Sequence, residues 1–254
     1  MNKAELIGLA KQQLAIDLGC SPELFDKTEN SVVHSTLLEG RRRFSGEPDF
    51  LRMATFGKGA VIAADERISG WCQEFLKDRE GNRVLEYDVM VQIERELQKY
   101  HKHLSGVNEG YLPLPGFNRL KDLQSIPVTV KWYEKDEIPS LYQDKRFKNA
   151  LLYDVNGLRP DVLVVTADID NQTVAMAGAS MDSELFWQIG IDVMPDHRRM
   201  GLAVYLVSAL TEEILKRGFI PYYGTWSANI ASRNVAAGSG YFPAWVETTA
   251  KDSK

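Results

Sequence analysis

The sequence predicts a mixed α/β fold, and three observations carry that expectation. Apolar runs at 161–167 and 173–180 flank Asp170-Asn171, a pair suited to a tight hairpin turn. A long amphipathic helix is expected over Leu202–Arg217, with Ala203, Leu206, Leu210 and Ile214 along one stripe. Strand-like stretches at Trp187–Met194 and Tyr222–Ser227 bracket that helix, and strand–helix–strand order combined with hairpins builds a mixed sheet.

From the N-terminus, Leu6, Ala10, Leu14 and Leu18 recur every fourth residue, so 3–18 reads as a helix stopped by Gly19. The run Arg41-Arg42-Arg43, between Gly40 and Gly46, reads as an exposed turn. Leu51–Phe56 and Ala60–Ala64 read as strands joined by Gly57-Lys58-Gly59. That turn lacks the spacing of a phosphate loop. Helices are expected at Ile68–Leu76 and Val89–His101. His101 and His103 do not share a helical face and no Cys or carboxylate cluster accompanies them, so no metal site is expected. Gly106–Gly116, with two prolines and three glycines, reads as a boundary segment. Beyond it come a strand at Val128–Tyr133, a helical segment at Glu137–Asn149, a short helix at Ala231–Ala237 and a last strand at Phe242–Glu247. The expected division is an α/β lobe at 1–125 and a second domain at 126–254.

Composition narrows the function classes. At 44% hydrophobic and 26% charged residues the 254-residue chain is ordinary globular material, not a disordered or fibrous one. The net charge of −5 divides into −2 and −3 at residue 125, which argues against a nucleic-acid partner. Cys20 and Cys72 are too few for a disulfide scaffold and read as reduced thiols. The start lacks the pattern of a signal peptide, and no apolar run approaches the ~18–20 residues of a membrane span. A cytoplasmic chain with no membrane partner is expected.

The informative stretch is Ile189–Leu215. A strand ends at Val193-Met194-Pro195, the tight loop Asp196-His197-Arg198-Arg199-Met200-Gly201 follows, and a long helix begins near Leu202. Orphan amides and the dipole at such a helix start make an anion site for a group such as a pyrophosphate. Gly201 and the small Ala203 let an anion approach the backbone, and Arg198 and Arg199 add positive charge. A nucleotide or phosphate-ester site would use the same elements.

Arg198-x-x-Gly201-x-Ala203, behind the Val-x-Pro turn, resembles the acetyl-CoA signature of the GNAT acetyltransferase superfamily. Asn229-Ile230-Ala231-Ser232 leading to Gly240-Tyr241-Phe242 resembles the pattern that closes many GNAT domains. The resemblance spans about 126–254. The texts Trp187–Val193 and Pro221–Thr225 look like a bacterial GNAT branch with an N-terminal extension, here 1–125. It implies a mixed, mostly antiparallel, splayed sheet and acetyl-CoA as co-substrate. It also implies backbone pairing of Ile191 and Val193 with the pantetheine arm. The amides of Arg199, Met200, Gly201, Leu202, Ala203 and Val204 would cradle the pyrophosphate. Asn229 and Ser232 would lie toward the thiol, with the amine acceptor entering from the far side of the splay.

The sequence departs from the family at two catalytic positions. The Tyr that often protonates the leaving thiolate is replaced by Ala236, and a frequent base position holds Trp187. Asp192, Asp182 and Glu184 are the candidate bases, and Tyr223 and Tyr241 the candidate acids. Tyr222, beside Tyr223, reads as a core or rim aromatic. Asp192 has the strongest claim, because a carboxylate inside an apolar strand needs a partner or a purpose. The expected activity is acetyl transfer to the amine of a small acceptor by direct attack. The alternative is a non-catalytic CoA-binding or sensing module. A separate lobe, a homodimer interface and a lid over the acceptor all remain open as roles for 1–125.

Overall fold

The computed structural model describes residues 1–116 and 127–253. The expected domain boundary at 125/126 lies outside the described residues. In chain order the elements are α1 (Lys3–Leu18), β1 (Ser31–His34), β2 (Leu51–Thr55), β3 (Ala60–Ala64), α2 (Glu66–Leu76), α3 (Tyr87–Gln98), β4 (Lys102–Leu104) and β5 (Asn108–Pro113). They continue with β6 (Thr129–Glu134), β7 (Asp161–Ile169), β8 (Gln172–Met181), β9 (Phe186–Val193), α4 (Leu202–Lys216), β10 (Ile220–Trp226), α5 (Ile230–Gly238) and β11 (Tyr241–Asp252). Contacts group the chain into two units. One holds Lys3–Gly110 and Ala244–Lys254, and the other holds Tyr111–Pro243 with Met1–Asn2.

In the first unit the strand order is β1-β3-β2-β11, with β4 also on β11. β2 and β3 form the expected antiparallel hairpin, and β1 lies parallel to β3. Both hairpin strands are buried throughout, and Met53 and Ile62 pack with Ile68, Cys72 and Leu76 of α2 and Ile93 and Leu97 of α3. Asp65 caps α2 by accepting from the Arg67 amide at 3.0 Å. Both cysteines are free thiols.

The Gly106–Gly116 segment, read as a boundary, contains β5, and the two units divide within it at Gly110/Tyr111. One expectation fails in this unit. Arg42 is not in an exposed turn: it is 1% exposed. Its Nε donates to Asp17 at 2.5 Å and its Nη2 to Glu247 at 3.0 Å, while Arg52 Nη2 donates to Glu247 at 2.6 Å. A buried guanidinium survives only with such partners.

In the second unit the order is β10-β9-β8-β7-β6. The β6/β7, β7/β8 and β8/β9 pairs are antiparallel and β9/β10 is parallel, which is the mixed, mostly antiparallel sheet expected. Asp170 and Asn171, at φ 49° and 60°, supply the two left-handed positions of the β7/β8 hairpin turn. α4 buries Leu202, Leu206, Leu210 and Ile214 against Val165, Ala177 and Ile189. It ends at left-handed Gly218, where the Phe219 amide reaches back to the Ile214 carbonyl. The expected helix at Glu137–Asn149 is reduced to a single 3-10 stretch, Ile138–Gln143. The amides of Asn149 and Ala150 donate to the Asp192 side chain instead of continuing a helix.

Candidate functional site

The site lies in the second unit and begins with how two strands part. β9 and β10 pair only from Phe186↔Ile220 to Ile189↔Tyr223. Beyond that point β9 stays on β8 as far as Val193, while Gly224–Trp226 of β10 leave it. The sheet is therefore splayed at this junction. Alternation puts Trp187, Ile189, Ile191 and Val193 on the α4 face, where they join its core. Gln188, Gly190 and Asp192 point to the opposite face.

After β9 the Met194 amide donates to Val174 at 2.8 Å, which anchors the loop to β8. A short turn at Pro195–His197 follows, and Arg199 and Gly201 take left-handed φ values of 63° and 83°. The first helical bond of α4 runs from the Tyr205 amide to the Gly201 carbonyl at 3.0 Å. The amides of Leu202, Ala203 and Val204 thus have no acceptor inside the helix, and no side chain caps them. Arg198, Arg199 and Met200 beside them are exposed, and Arg198 Nε reaches the Val193 carbonyl at 3.3 Å. Orphan donors, a helix dipole and two exposed cations all favour negative charge at this end of α4.

α5 begins at Asn229, whose side chain accepts from the Ser232 amide at 3.1 Å. Ser232 Oγ in turn meets the Tyr223 hydroxyl at 2.8 Å. Burial raises the Tyr223 pKa and the Ser232 hydrogen bond only partly offsets it, so the phenol stays protonated at neutral pH. Tyr241 lies edge-on to Tyr223 at 6.2 Å. Its hydroxyl is occupied by Thr211 at 2.6 Å, and burial raises its pKa strongly.

The three carboxylates named from sequence stand in different surroundings. Asp192 accepts from the Asn149 amide at 2.7 Å, Asn149 Nδ2 at 2.5 Å and the Ala150 amide at 3.0 Å. Asp182 is fully buried and held by Arg159 Nε at 2.7 Å and Nη2 at 3.0 Å, by Ser180 at 2.8 Å and by the Tyr222 hydroxyl. Glu184 is exposed in the turn before β9. Ala236 and Trp187 are both buried, the latter stacked on Phe219 at 4.1 Å.

Sequence reasoning missed Arg159 and Asn149, which govern those carboxylates. The one available signal was a pair of strand glycines, Gly178 and Gly190, since glycine inside a strand marks close backbone approach. The Ala150 carbonyl lies against Gly178 and the Asn149 carbonyl against Gly190, where added methyl groups would collide with them.

Comparison with known proteins agrees with this geometry. Residues 126–241 match the Acetyltransferase (GNAT) family. The chain carries a GNAT acetyltransferase domain. The structure of a GCN5-related N-acetyltransferase from Kribbella flavida is similar over 100% of this chain and 97% of that one, at 14% identity and a TM-score of 0.51. A GCN5-related N-acetyltransferase-like protein from Streptococcus suis is similar over 98% and 99%, at 14% identity and a TM-score of 0.50. An acetyltransferase of the GNAT family from Colwellia psychrerythraea is matched over 61% of this chain and only 60% of its own, at 12% identity and a TM-score of 0.41. At 14% identity the first two likenesses speak for the fold alone. No curated protein matches the sequence significantly. Among the described residues no helix is long and apolar enough to cross a membrane, and no group of three His, Cys, Asp or Glu side chains is arranged to hold a metal.

Proposed function

We propose that this GNAT domain transfers an acetyl group from acetyl-CoA to the amine of a small acceptor by direct attack. The observation that carries the reading is the set of orphan amides at the start of α4, set beside the parted strands β9 and β10. The pyrophosphate would sit on the amides of Arg199 to Val204, between the exposed Arg198 and Arg199. The pantetheine arm would add to the free edge of β9 at Ile191 and Val193, which no longer pair with β10.

The neutral amine nitrogen attacks the thioester carbonyl, the C–S bond breaks, the nitrogen gives up one proton to solvent, and the thiolate takes one. Tyr223 is the acid the site supplies, because its hydroxyl is on the α4 face beside Ser232 and burial keeps it protonated. Calorimetry with acetyl-CoA and CoA tests the binding half on the wild type and Gly201→Glu. Micromolar binding that the Glu side chain abolishes is expected, and a wild type that binds neither ligand overturns the reading.

A second reading, a CoA-binding module without turnover, is favoured by one feature. Ala236 and Trp187 fill with packing the two positions where the family often holds its acid and base. CoA binding without thiol release across a broad amine panel would select it.

A further inference from the structure

Asp192 was the strongest base candidate in the sequence, yet both its oxygens are taken by donors from one segment. Oδ2 accepts from the Asn149 amide at 2.7 Å and the Ala150 amide at 3.0 Å, and Oδ1 accepts from Asn149 Nδ2 at 2.5 Å. The segment lies flush on the sheet. Gly178 on β8 and Gly190 on β9 leave no room for a methyl group beneath the Ala150 and Asn149 carbonyls. Ala150 and Leu151 then sink into a core with Ile138, Phe147, Val164 and Met176. Gly190 and Asp192 belong to the stretch of β9 that has parted from β10, so the segment backs the gap itself.

We propose that Asp192 is a positioning residue, not the base. It clamps Asn149–Ala150 over Gly178 and Gly190, and so builds a wall that keeps water from a thioester held in the gap. The inference rests on the acetyl-CoA reading. It leaves the side of Gly224 and Trp226, the latter 60% exposed, as the open approach for an amine.

Two substitutions disturb the wall from opposite sides. Asp192→Asn removes the charge that the two backbone amides share and sets an NH2 in place of one acceptor, against a donor of Asn149. Gly178→Ala pushes on the Ala150 carbonyl without touching β9. The readouts are amide hydrogen exchange at Asn149 and Ala150, acetyl-CoA affinity by calorimetry, and thiol release from acetyl-CoA with water as acceptor. In that side reaction a water oxygen bonds to the carbonyl carbon, the C–S bond breaks, and the thiolate takes the proton released by the water.

In both variants exchange at the two amides should rise at least tenfold and hydrolysis at least threefold, with acetyl-CoA affinity within threefold of wild type. A base role predicts the opposite for Asp192→Asn, namely slower hydrolysis with exchange unchanged, and that result overturns the proposal. Unchanged hydrolysis in both variants also overturns it. Loss of folding in Gly178→Ala leaves the decision to Asp192→Asn and to Asn149→Ala, which removes one of the three bonds and should give a smaller rise of the same sign. A wild type that fails to bind acetyl-CoA sinks the parent reading, while exchange at Asn149 and Ala150 still reports the clamp.

Discussion

Glu247→Gln should cost the first unit about 3–5 kcal/mol, the usual scale for removing one partner from a buried charged network. Glu247 accepts from Arg42 Nη2 at 3.0 Å, Arg52 Nη2 at 2.6 Å and Trp245 Nε1 at 2.9 Å. Asp17 holds Arg42 Nε at 2.5 Å and stands 3.5 Å from Arg52 Nη2. Two guanidinium groups thus face two carboxylates, and the Gln variant leaves one buried positive charge in excess. Asp49, 3.7 Å from Arg52 and 29% exposed, offsets only part of it. Urea unfolding followed by circular dichroism measures the loss, which corresponds to roughly 6–20 °C in melting temperature for a chain of this size.

The pH dependence gives the same experiment a second arm. Burial disfavours the Glu247 charge, but Arg42 and Arg52 outweigh it and hold its carboxyl well below the usual range. A depressed folded pKa means that the contribution is complete above the unfolded value of about 4.3 and is lost as pH falls below it. The wild type should therefore lose stability on acidification below about pH 4 more steeply than Glu247→Gln. A variant within about 1 kcal/mol of wild type, with the same acid slope, would refute the reasoning.

Two further outcomes concern the second unit. Tyr223→Phe should lower thiol release with an accepted amine by about 10²-fold while leaving acetyl-CoA affinity unchanged, and undiminished turnover would remove Tyr223 as the acid. Asp182→Asn should destabilise the domain by about 3 kcal/mol, near the low end for such pairs because Arg159 keeps 20% of its side chain exposed. Thermal unfolding reads that loss, and an unchanged melting point combined with lost turnover would restore Asp182 as a base.

What the sequence disclosed was local. The β7/β8 hairpin and α4 are legible because period-two and period-3.6 patterns, a turn pair and a capping glycine all lie within a few residues of one another. The uncapped start of α4 is legible for the same reason, since loop, glycine and helix are contiguous. Arg42 was misread because a run of three arginines looks solvated until its partner is known, and Glu247 is 205 residues away. β1 escaped notice because it is four residues long, half-buried and paired in parallel with β3. Glu137–Asn149 read as helical because nothing local announces that Asp192, 43 residues on, claims the amide of Asn149.

The same distinction between local and distant partners decides the chemistry. A carboxylate in an apolar strand must be neutralised, paired or used, and sequence cannot choose among these. Here Asp192 is spent on two backbone amides and a side-chain amide, and Asp182 on a guanidinium. The positions that resemble the family's acid and base are spent on packing at Ala236 and Trp187. Tyr223 differs from all four. Its ring is core, but among the described residues its hydroxyl meets only the rotatable Ser232 hydroxyl at the start of α5, a partner that can turn aside as a thiolate arrives. If this GNAT domain turns over, its proton donor has to be a group whose hydrogen bond can be exchanged without dismantling the fold, and Tyr223 meets that condition.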